Sequence, residues 1–342
     1  MREEFQYFED YQVGQEGLTP GRTIGEVDLV NFASIVGDYE PIHLDRHFAT
    51  TTMPYGERIS HGWLVISLVP GMISYRFPQI VARDVPEAFF RGIDINYRNG
   101  LVLGDTIKVA WRVSEKMDDP NNDGFGLVKT NFQVLNQEKK IIDDGVFSII
   151  ARKKSSKDAK LGLKPKIPWD IKTLLSDPDP ERIYCLEDFV EGQGQRIGGR
   201  TITEADVVNF AGLTGDLNRL YVDAEFAKNG TFGERVAPGM LIASITSGLW
   251  VRDGFFIQAK KPPEERAGHV SDGCEFLYPV KIGDTVWFQW KVGYTRVSKS
   301  KPDRGIFRVD RQVLNQRNEV IQEGYTLYMV GTRATMTGEK GR

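Results

Sequence analysis

The chain has 342 residues, of which 40% are hydrophobic and 27% charged, a composition typical of folded globular proteins at a length that favours two domains over one. Lys and Arg number 44 against 47 Asp and Glu, a formal net charge of -3, so the chain lacks the basic excess that nucleic acid or an anionic lipid surface requires. Its two cysteines, Cys185 and Cys274, form no CxxC pair and lie near no histidine at metal spacing, which excludes a structural zinc site and a disulfide framework.

The sequence pattern also argues against secretion and membrane insertion. Residues 1–5 are acidic and aromatic, without the apolar core of a secretory signal. The most apolar stretch, residues 63–73, is interrupted by Ser67, Pro70 and Gly71 and is too short to span a bilayer. We therefore expect a cytoplasmic protein with neither a membrane partner nor a nucleic-acid partner.

Short sequence matches recur along the chain in the same order, at an offset of 177 to 179 residues. They include Asn31-Phe32-Ala33 with Asn209-Phe210-Ala211, Gly104-Asp105-Thr106 with Gly283-Asp284-Thr285, and Gln133 to Gln137 with Gln312 to Gln316. Ordered matches at a nearly constant offset are the signature of a duplication. The chain is therefore predicted to be two copies of one domain.

Composition places the boundary between the copies. Residues 153–180 are charged, carry four prolines and show little periodicity, which predicts an extended linker with one turn of helix around residues 169–175. The N-terminal copy then covers residues 1–152 and the C-terminal copy residues 181–335. Residues 336–342 form a polar tail.

Each copy shows the same order of predicted elements. A first helix begins at Thr23 or Thr201, where Thr-x-x-Glu forms a capping box before an apolar periodic run. A loop rich in Asp, Gly and Pro follows, and then a mostly apolar helix over 62–75 or 239–252. Four alternating segments then predict strands, which in the N-terminal copy are 90–97, 106–115, 126–136 and 140–151. A long buried helix followed by an antiparallel sheet that wraps it is an α+β layout.

The loop after the first helix and the start of the long helix carry the residues best suited to chemistry. Asp38 and His43 lie on a loop stiffened by Pro41, so a carboxylate and an imidazole can converge on one small molecule for acid–base work on water. Gly62 opens the long helix, where unpaired amides and the helix dipole favour a developing oxyanion. Glycine there lets a carbonyl group approach the backbone closely.

The pattern Gly-Asp-x-x-Pro-Ile-His-x-Asp over residues 37–45, followed by His61-Gly62 at a helix start, resembles the MaoC-like (R)-specific enoyl-CoA hydratases, the hydratase 2 group. The resemblance extends over both copies. It implies a tandem double hot-dog fold, in which each antiparallel sheet wraps a long central helix. It also implies a hydro-lyase of fatty-acid metabolism that acts on an acyl-CoA thioester.

The resemblance further implies roles for single residues. Asp38 and His43 would hold and activate a water for syn addition across the α,β double bond, while Gly62 would donate to the thioester oxygen as the enolate forms. His61 and Trp63 either border the substrate beside Gly62 or serve in packing. No metal or redox cofactor is implied, and coenzyme A enters only as part of the substrate.

Two departures from the family pattern bear on the site. Glu40 stands where the family has Asn, and its carboxylate either raises the pKa of Asp38 by like-charge repulsion or points to solvent. In the C-terminal copy Asp216 is kept but Tyr221 replaces the histidine, and tyrosine, with a reference pKa of about 10, is a poor base at neutral pH. We therefore predict one active site per chain, in the N-terminal copy, with the C-terminal copy shaping the acyl pocket.

Other polar residues are interpreted structurally. Asp45 and Asp223 persist in both copies, as turn or capping residues would. His47 is expected on a solvated helix, and His269 in a polar loop without functional signal.

Two other functions stay open on the sequence. A hot-dog acyl-CoA thioesterase would share the fold, and fold alone does not decide function, although the pair Asp38 and His43 favours hydration. A non-catalytic acyl-CoA-binding module is supported by Glu40 and by the loss of the second site. The length, branching or dicarboxylic character of the acyl group is also open, as is whether this tandem chain, already a pseudo-dimer, pairs again as a homodimer.

Overall fold

The computed structural model of the chain describes residues 7–85, 88–156, 158–174, 184–252 and 268–337. Within them each copy contributes a first helix, two short helices, one long helix and a set of long antiparallel strands. The predicted α+β layout is therefore confirmed.

The N-terminal copy follows the predicted order. Its helices are α1 (Glu26–Val36), α2 (Pro41–Leu44), α3 (Arg46–Thr52) and α4 (Gly62–Arg76). Its strands are β1 (Glu16–Leu18), β2 (Arg22–Thr23), β3 (Phe89–Tyr97), β4 (Thr106–Asp118), β5 (Phe125–Leu135) and β6 (Ile141–Arg152). The long helix and the four main strands thus lie close to their predicted bounds.

The C-terminal copy repeats this order after a short strand in the linker, β7 (Thr173–Leu174). Its helices are α5 (Glu204–Thr214), α6 (Arg219–Val222), α7 (Ala224–Lys228), α8 (Gly239–Arg252) and α9 (Arg333–Thr337). Its strands are β8 (Gln193–Thr201), β9 (Gly268–Phe276), β10 (Thr285–Val297), β11 (Arg304–Asn315) and β12 (Val320–Gly331).

The strands of both copies form one continuous sheet. Their order is β1-β4-β5-β6-β3-β9-β12-β11-β10-β8-β7, with β2 beside β4. The copies meet where β3 pairs antiparallel with β9, so that Asp94 lies opposite Gly273. Each copy therefore extends the sheet of the other.

The long helices α4 and α8 lie at the centre of the core. Helix α4 is buried continuously from Trp63 to Ser74, as its sequence requires, because a helix without a polar face must be enclosed on all sides. The two helices meet where the hydroxyls of Ser67 and Ser244 lie 3.2 Å apart. Neither these helices nor the others in the described segments combine the length and apolar character needed to cross a bilayer.

Each long helix also contacts the first helix of the other copy through a glycine. A Cβ atom on Gly71 would lie 2.1 Å from the carbonyl oxygen of Thr214, and one on Gly248 would lie 1.9 Å from that of Val36. Neither position has room for a side chain. Each long helix therefore supports the turn that follows the first helix of the other copy.

The predicted start of the first helix is wrong by a few residues. Thr23 lies in β2, and α1 begins at Glu26. The carboxylate of Asp28 accepts the backbone N–H of Gly25 at 2.8 Å, whereas Glu26 is bound by Arg58. The first helix of the C-terminal copy also begins later than predicted, at Glu204. Its capping box is formed by Thr203 and Asp206, one Thr-x-x-acid pattern further along the sequence.

The predicted helical turn in the linker is also wrong over residues 169–174, and residue 175 lies outside the described part of the chain. The carbonyl of Trp169 accepts a hydrogen bond from Gln289 Nε2 at 3.1 Å, and Lys291 Nζ lies 4.5 Å from the centre of its indole. Strand β7 then pairs parallel with β8. These contacts hold the linker extended against the C-terminal copy.

Candidate active site

The turn after α1 brings Asp38 into the interior. Helix α1 ends at Gly37, whose left-handed backbone (φ 85°) costs glycine little, and its N–H donates to the carbonyl of Ala33 at 2.8 Å. Pro41 then occupies the first turn of α2, a position that suits its fixed φ. Helix α2 carries His43 inward, so that Asp38 and His43 are each only 7% exposed.

The start of α4 faces the same region. Gly62 is the first residue of α4, and a Cβ atom there would lie 2.8 Å from the ring of Tyr97. The packing of Tyr97 therefore requires glycine. The first amides of a helix have no partner within it, so this helix start can donate to a ligand.

Asp38, His43 and His61 form one buried cluster. His43 Nδ1 lies 2.8 Å from the carbonyl oxygen of Ile59, and His61 Nε2 lies 3.1 Å from the carbonyl oxygen of Asp38. The two imidazole rings contact each other in a tilted arrangement, with centroids 3.8 Å apart and planes 30° apart. His61, only 1% exposed, thus lies against both other members and holds the Asp38 backbone.

These contacts fix the protonation of His43. A carbonyl oxygen can only accept, so Nδ1 carries the proton that it gives to Ile59 and Nε2 keeps its lone pair. Burial lowers the pKa of His43, although the negative charge of Asp38 acts in the other direction. Burial and the neighbouring His43 also lower the pKa of His61 to well below its usual range. Both rings are therefore neutral at neutral pH, and His43 Nε2 is available as a base.

The cluster opens into a cavity of about 440 Å³, called here the N-terminal cavity, which both copies line. The N-terminal copy contributes the cluster, the start of α4 and residues after β3. The C-terminal copy contributes the last turns of α8 and four strands; its side chains include Trp250, His269, Phe288, Arg311, Thr326 and Tyr328.

The equivalent place in the C-terminal copy is nearly closed. The pocket around Asp216 and Tyr221 has a volume of about 40 Å³ and includes the ring of Phe276, which packs against Gly239. Burial raises the pKa of Asp216 to about 7. This copy therefore has neither an imidazole nor room for a substrate at this position.

The structure brings all six predicted site residues to the N-terminal cavity, which is lined by Asp38, Glu40, His43, His61, Gly62 and Trp63. Glu40 is 9% exposed and faces this cavity instead of bulk solvent. Its backbone N–H lies 3.4 Å from Asp38 Oδ1. Asp45 caps α3 by accepting the N–H of Phe48 at 2.9 Å, as its structural interpretation expected.

Asp38, His43 and His61 are also the set that could hold a metal ion within the described residues. One carboxylate oxygen and one nitrogen of each ring lie within 4.8 Å of one another. Each ring already directs one nitrogen at a backbone carbonyl oxygen, His43 Nδ1 at Ile59 and His61 Nε2 at Asp38, and so has one nitrogen left for a proton or a ligand.

The interpretation of His269 as a loop residue is wrong. His269 lies in β9, and its imidazole lines the N-terminal cavity. Sequence reasoning also missed Arg311, Tyr328 and Asp143, which line the same cavity. Asp143 is 2% exposed, and burial and the adjacent charge of Asp144 raise its pKa well above the usual range. A comparison of the two copies position by position would have singled out His269, Arg311 and Tyr328.

Comparisons with known proteins bear on the family. The model of the MaoC like domain matches residues 10–131 and again residues 189–308. A 3-hydroxybutyryl-CoA dehydratase of Methylorubrum extorquens is 37% identical over 109 residues, which are 32% of this chain and 64% of that protein, so the match spans less than two thirds of this relative. An (R)-specific enoyl-CoA hydratase of Rhodospirillum rubrum is 30% identical over 151 residues, which are 44% of this chain and 94% of the relative.

Solved structures support the fold. A MaoC domain protein from Chloroflexus aurantiacus superposes with a TM-score of 0.74 at 19% identity, covering 96% of this chain and 98% of that one. A Mycobacterium tuberculosis protein described as a double hotdog fold gives a TM-score of 0.68 at 15% identity, covering 96% and 99%. The predicted tandem hot-dog fold is thus confirmed. The chain belongs to the MaoC-like domain family and carries the domain twice, as a double hot dog.

Proposed function

We propose that the chain reversibly adds water across the α,β double bond of an enoyl-CoA thioester, at one site in the N-terminal copy. The observation that carries this proposal is the convergence of Asp38 and His43 beside the start of α4, in a cavity of about 440 Å³. The pocket at the equivalent place of the C-terminal copy is about 40 Å³ and has Tyr221 in place of the histidine. The hydratases and dehydratases among the relatives support the same reaction class.

The proposal gives each group a role. A water held between the Asp38 carboxylate and His43 Nε2 loses a proton to one of them as its oxygen bonds to the β-carbon. Electrons of the double bond move to the thioester oxygen, which accepts from the N–H of Gly62 at the helix start. The proton is then delivered to the α-carbon, so the product is the 3-hydroxyacyl thioester. The thioester itself acidifies the α-position, so the proposal includes no metal or redox cofactor.

The remaining residues position these groups. His61 binds the Asp38 carbonyl and packs against the ring of His43, so it orients the pair. Trp63 lines the cavity beside Gly62 and contributes an apolar wall for the acyl group. The C-terminal copy completes the acyl pocket, and its side chains decide whether that group is linear, branched or dicarboxylic.

Hydration removes the absorbance of the conjugated enoyl thioester, which allows a direct test. We expect the wild type to bleach crotonyl-CoA without releasing free thiol. Asp38→Asn and His43→Ala should each lower kcat by about 100-fold or more, since each removes an acid–base group. Tyr221→Phe, at the position equivalent to His43, is the matched control and should leave the rate unchanged.

Two outcomes would replace the proposal with the other candidates. Release of free thiol from a saturated acyl-CoA, dependent on His43, would identify a thioesterase. Tight binding of acyl-CoA with no turnover, unaffected by Asp38→Asn, would identify a non-catalytic binding module.

A further inference from the structure

The duplication allows the two sheet faces that close the two pockets to be compared residue by residue. Five positions in β9, β11 and β12 carry polar or charged side chains, called here the polar cluster: His269, Asp272, Arg311, Thr326 and Tyr328. The positions 179 residues earlier, in β3, β5 and β6, are all apolar: Phe90, Ile93, Phe132, Phe147 and Ile149.

Strand register confirms that these positions are equivalent. Asp272 pairs with the residue 54 positions later, Thr326, across β9 and β12, and Ile93 pairs with Phe147 across β3 and β6. In the N-terminal copy the apolar set fills space, since the rings of Phe90 and Phe147 stack with centroids 5.6 Å apart. The polar cluster instead adjoins the N-terminal cavity, where four of its members line the wall.

The polar cluster is organised around Asp272, which is fully buried. Its carboxylate accepts from the hydroxyls of Tyr97, at 2.9 Å, and Thr326. Arg311 Nη2 lies 3.2 Å from Asp272 Oδ1, and His269 Nε2 lies 2.8 Å from Oδ2 without the alignment of a hydrogen bond. Burial opposes ionisation, yet the charges of His269 and Arg311 hold the pKa of Asp272 below its usual value. The cluster therefore contains a true buried ion pair.

The fold does not need this ion pair. A buried pair must repay the loss of hydration of both charges, and apolar residues of similar volume often serve stability as well or better. The N-terminal copy shows this directly, because Ile93 and Phe132 occupy the same register in the same sheet. The placement of Asp272 and Arg311 beside an open cavity points instead to a ligand.

Arg311 is the member of the cluster best placed to bind a ligand. It is 7% exposed, and its guanidinium lies 5.0 Å from the ring centre of Trp63, the residue after the proposed oxyanion donor. Among the described residues its polar contacts leave from Nη2 alone, to Asp272 and to the carbonyl of Gly273. Nε and Nη1 are therefore available to a ligand, while the Asp272 carboxylate also accepts from the hydroxyls of Tyr97 and Thr326.

We propose that the N-terminal cavity takes an enoyl-CoA whose short acyl chain ends in a carboxylate, and that Arg311, with Tyr328 beside it, binds that carboxylate. This inference rests on the proposed function for the reaction, but not for the binding of the carboxylate. A planar guanidinium matches a carboxylate with two parallel hydrogen bonds. A methyl terminus at the same place would leave buried donors without a partner once water is expelled. The position of Arg311 over Trp63 limits the chain to a few carbons.

Two substrates that differ at one terminus test the inference. Crotonyl-CoA ends in a methyl group, and the fumaryl monothioester of CoA ends in a carboxylate at the same carbon. We expect kcat/KM of the wild type to favour the fumaryl thioester. Arg311→Met should lower the ratio of the two kcat/KM values by about 10- to 100-fold, the effect of one charge-assisted hydrogen-bonded contact. A wild type that prefers crotonyl-CoA, or a ratio that Arg311→Met does not change, would overturn the inference.

Two controls keep the result interpretable. Arg311→Met leaves Asp272 unpaired, so the double variant Arg311→Met/Asp272→Asn, which removes both charges, must show the same loss of selectivity. Binding of glutaryl-CoA and pentanoyl-CoA, measured by calorimetry, tests the carboxylate site without any reaction. If glutaryl-CoA binds more tightly in a way that depends on Arg311, but neither enoyl thioester is hydrated, the proposed function is wrong and the carboxylate site is supported. Equal binding of glutaryl-CoA and pentanoyl-CoA would show that the carboxylate site does not exist.

Discussion

At the scale of single residues, the two copies bury a carboxyl at the same position but give it different neighbours. Asp38 faces an imidazole that can accept or carry a proton, and the pair lies at an open cavity. Asp216 faces Tyr221, and burial together with the charge of Asp216 raises the pKa of Tyr221 well above its usual value, so the phenol keeps its proton and cannot act as a base at neutral pH. Burial consequently raises the pKa of Asp216 to about 7, with only a backbone contact from Asn218 opposing the shift. The C-terminal carboxyl therefore holds a proton up to about neutral pH, and it faces a phenol where Asp38 faces an imidazole.

This difference predicts a pH dependence of stability. An aspartate in an unfolded chain titrates at about 4, and Asp216 in the folded chain at about 7. Between these values the folded state holds a proton that the unfolded state has lost, so the free energy of unfolding falls as pH rises through this range. Because asparagine does not ionise, Asp216→Asn removes this loss of stability. Relative to wild type, the variant should gain roughly 2 to 4 kcal/mol between about pH 4 and about pH 8.

Urea unfolding at the two pH values measures this gain. Glu225→Gln, at an exposed position of α7 in the same copy, is the control for a change of charge without burial. An Asp216→Asn advantage that is the same at both pH values would contradict the raised pKa.

At the scale of elements, the turn that carries Asp38 is supported from the other copy. Helix α8 passes so close to the end of α1 that Gly248 touches the carbonyl of Val36, two residues before Asp38. Helix α4 makes the same contact with the end of α5 through Gly71. The contacts are equivalent by the duplication, but only the first one adjoins the carboxylate that we propose to be catalytic.

The two glycines therefore form a matched pair of variants. Gly248→Ala must push the turn before Asp38 aside, and a displacement near 1 Å at a reacting group can cost about 100-fold in rate. Gly71→Ala disturbs the turn before Asp216 and should spare kcat. Both variants should lose roughly 1 to 3 kcal/mol of unfolding free energy, the usual result of overpacking. Equal losses of kcat, measured where both variants are folded, would show that α8 has no special role in placing Asp38.

Sequence reasoning succeeded for elements whose pattern is local. Helix α4 was predictable to within a residue at its end because Trp63 to Ile73 is apolar on every side and Gly62 marks its start. The main strands were predictable from alternation. The start of α1 was not, because the cap uses Gly25 and Asp28, which form no Thr-x-x-Glu pattern, while Glu26 of the predicted box is bound by Arg58, distant in sequence.

The wall of the site contributed by the C-terminal copy was not predictable from local pattern. Strand β9 carries His269 and Asp272 at the positions where the N-terminal copy has Phe90 and Ile93. These polar residues interrupt the alternation by which strands are recognised. The loop that carries Asp38 and His43 was found because its residues lie close together in sequence, whereas Arg311 reaches the same cavity from a strand of the other copy. The pairing of copies, which a local pattern does not encode, builds half of the pocket.

At the scale of the whole molecule, the two copies share a single core. The sheet runs through the β3–β9 pair without interruption, and the main cluster of buried apolar residues includes both long helices. Residues at equivalent places, such as Ile24 and Ile202, are both fully buried in it. A chain built this way has no seam at which one copy can unfold and leave the other intact.

We therefore expect one cooperative unfolding transition, with activity and tryptophan fluorescence lost together in urea. Ile24→Ala and Ile202→Ala each remove buried methyl groups and should each lower the unfolding free energy by about 2 to 5 kcal/mol. The informative variant is Ile202→Ala, because it lies in the copy without the proposed catalytic pair. If the core is shared, this variant must shift the loss of the proposed hydratase activity to lower urea by as much as Ile24→Ala does. If the copies unfold independently, Ile202→Ala will split the fluorescence transition in two.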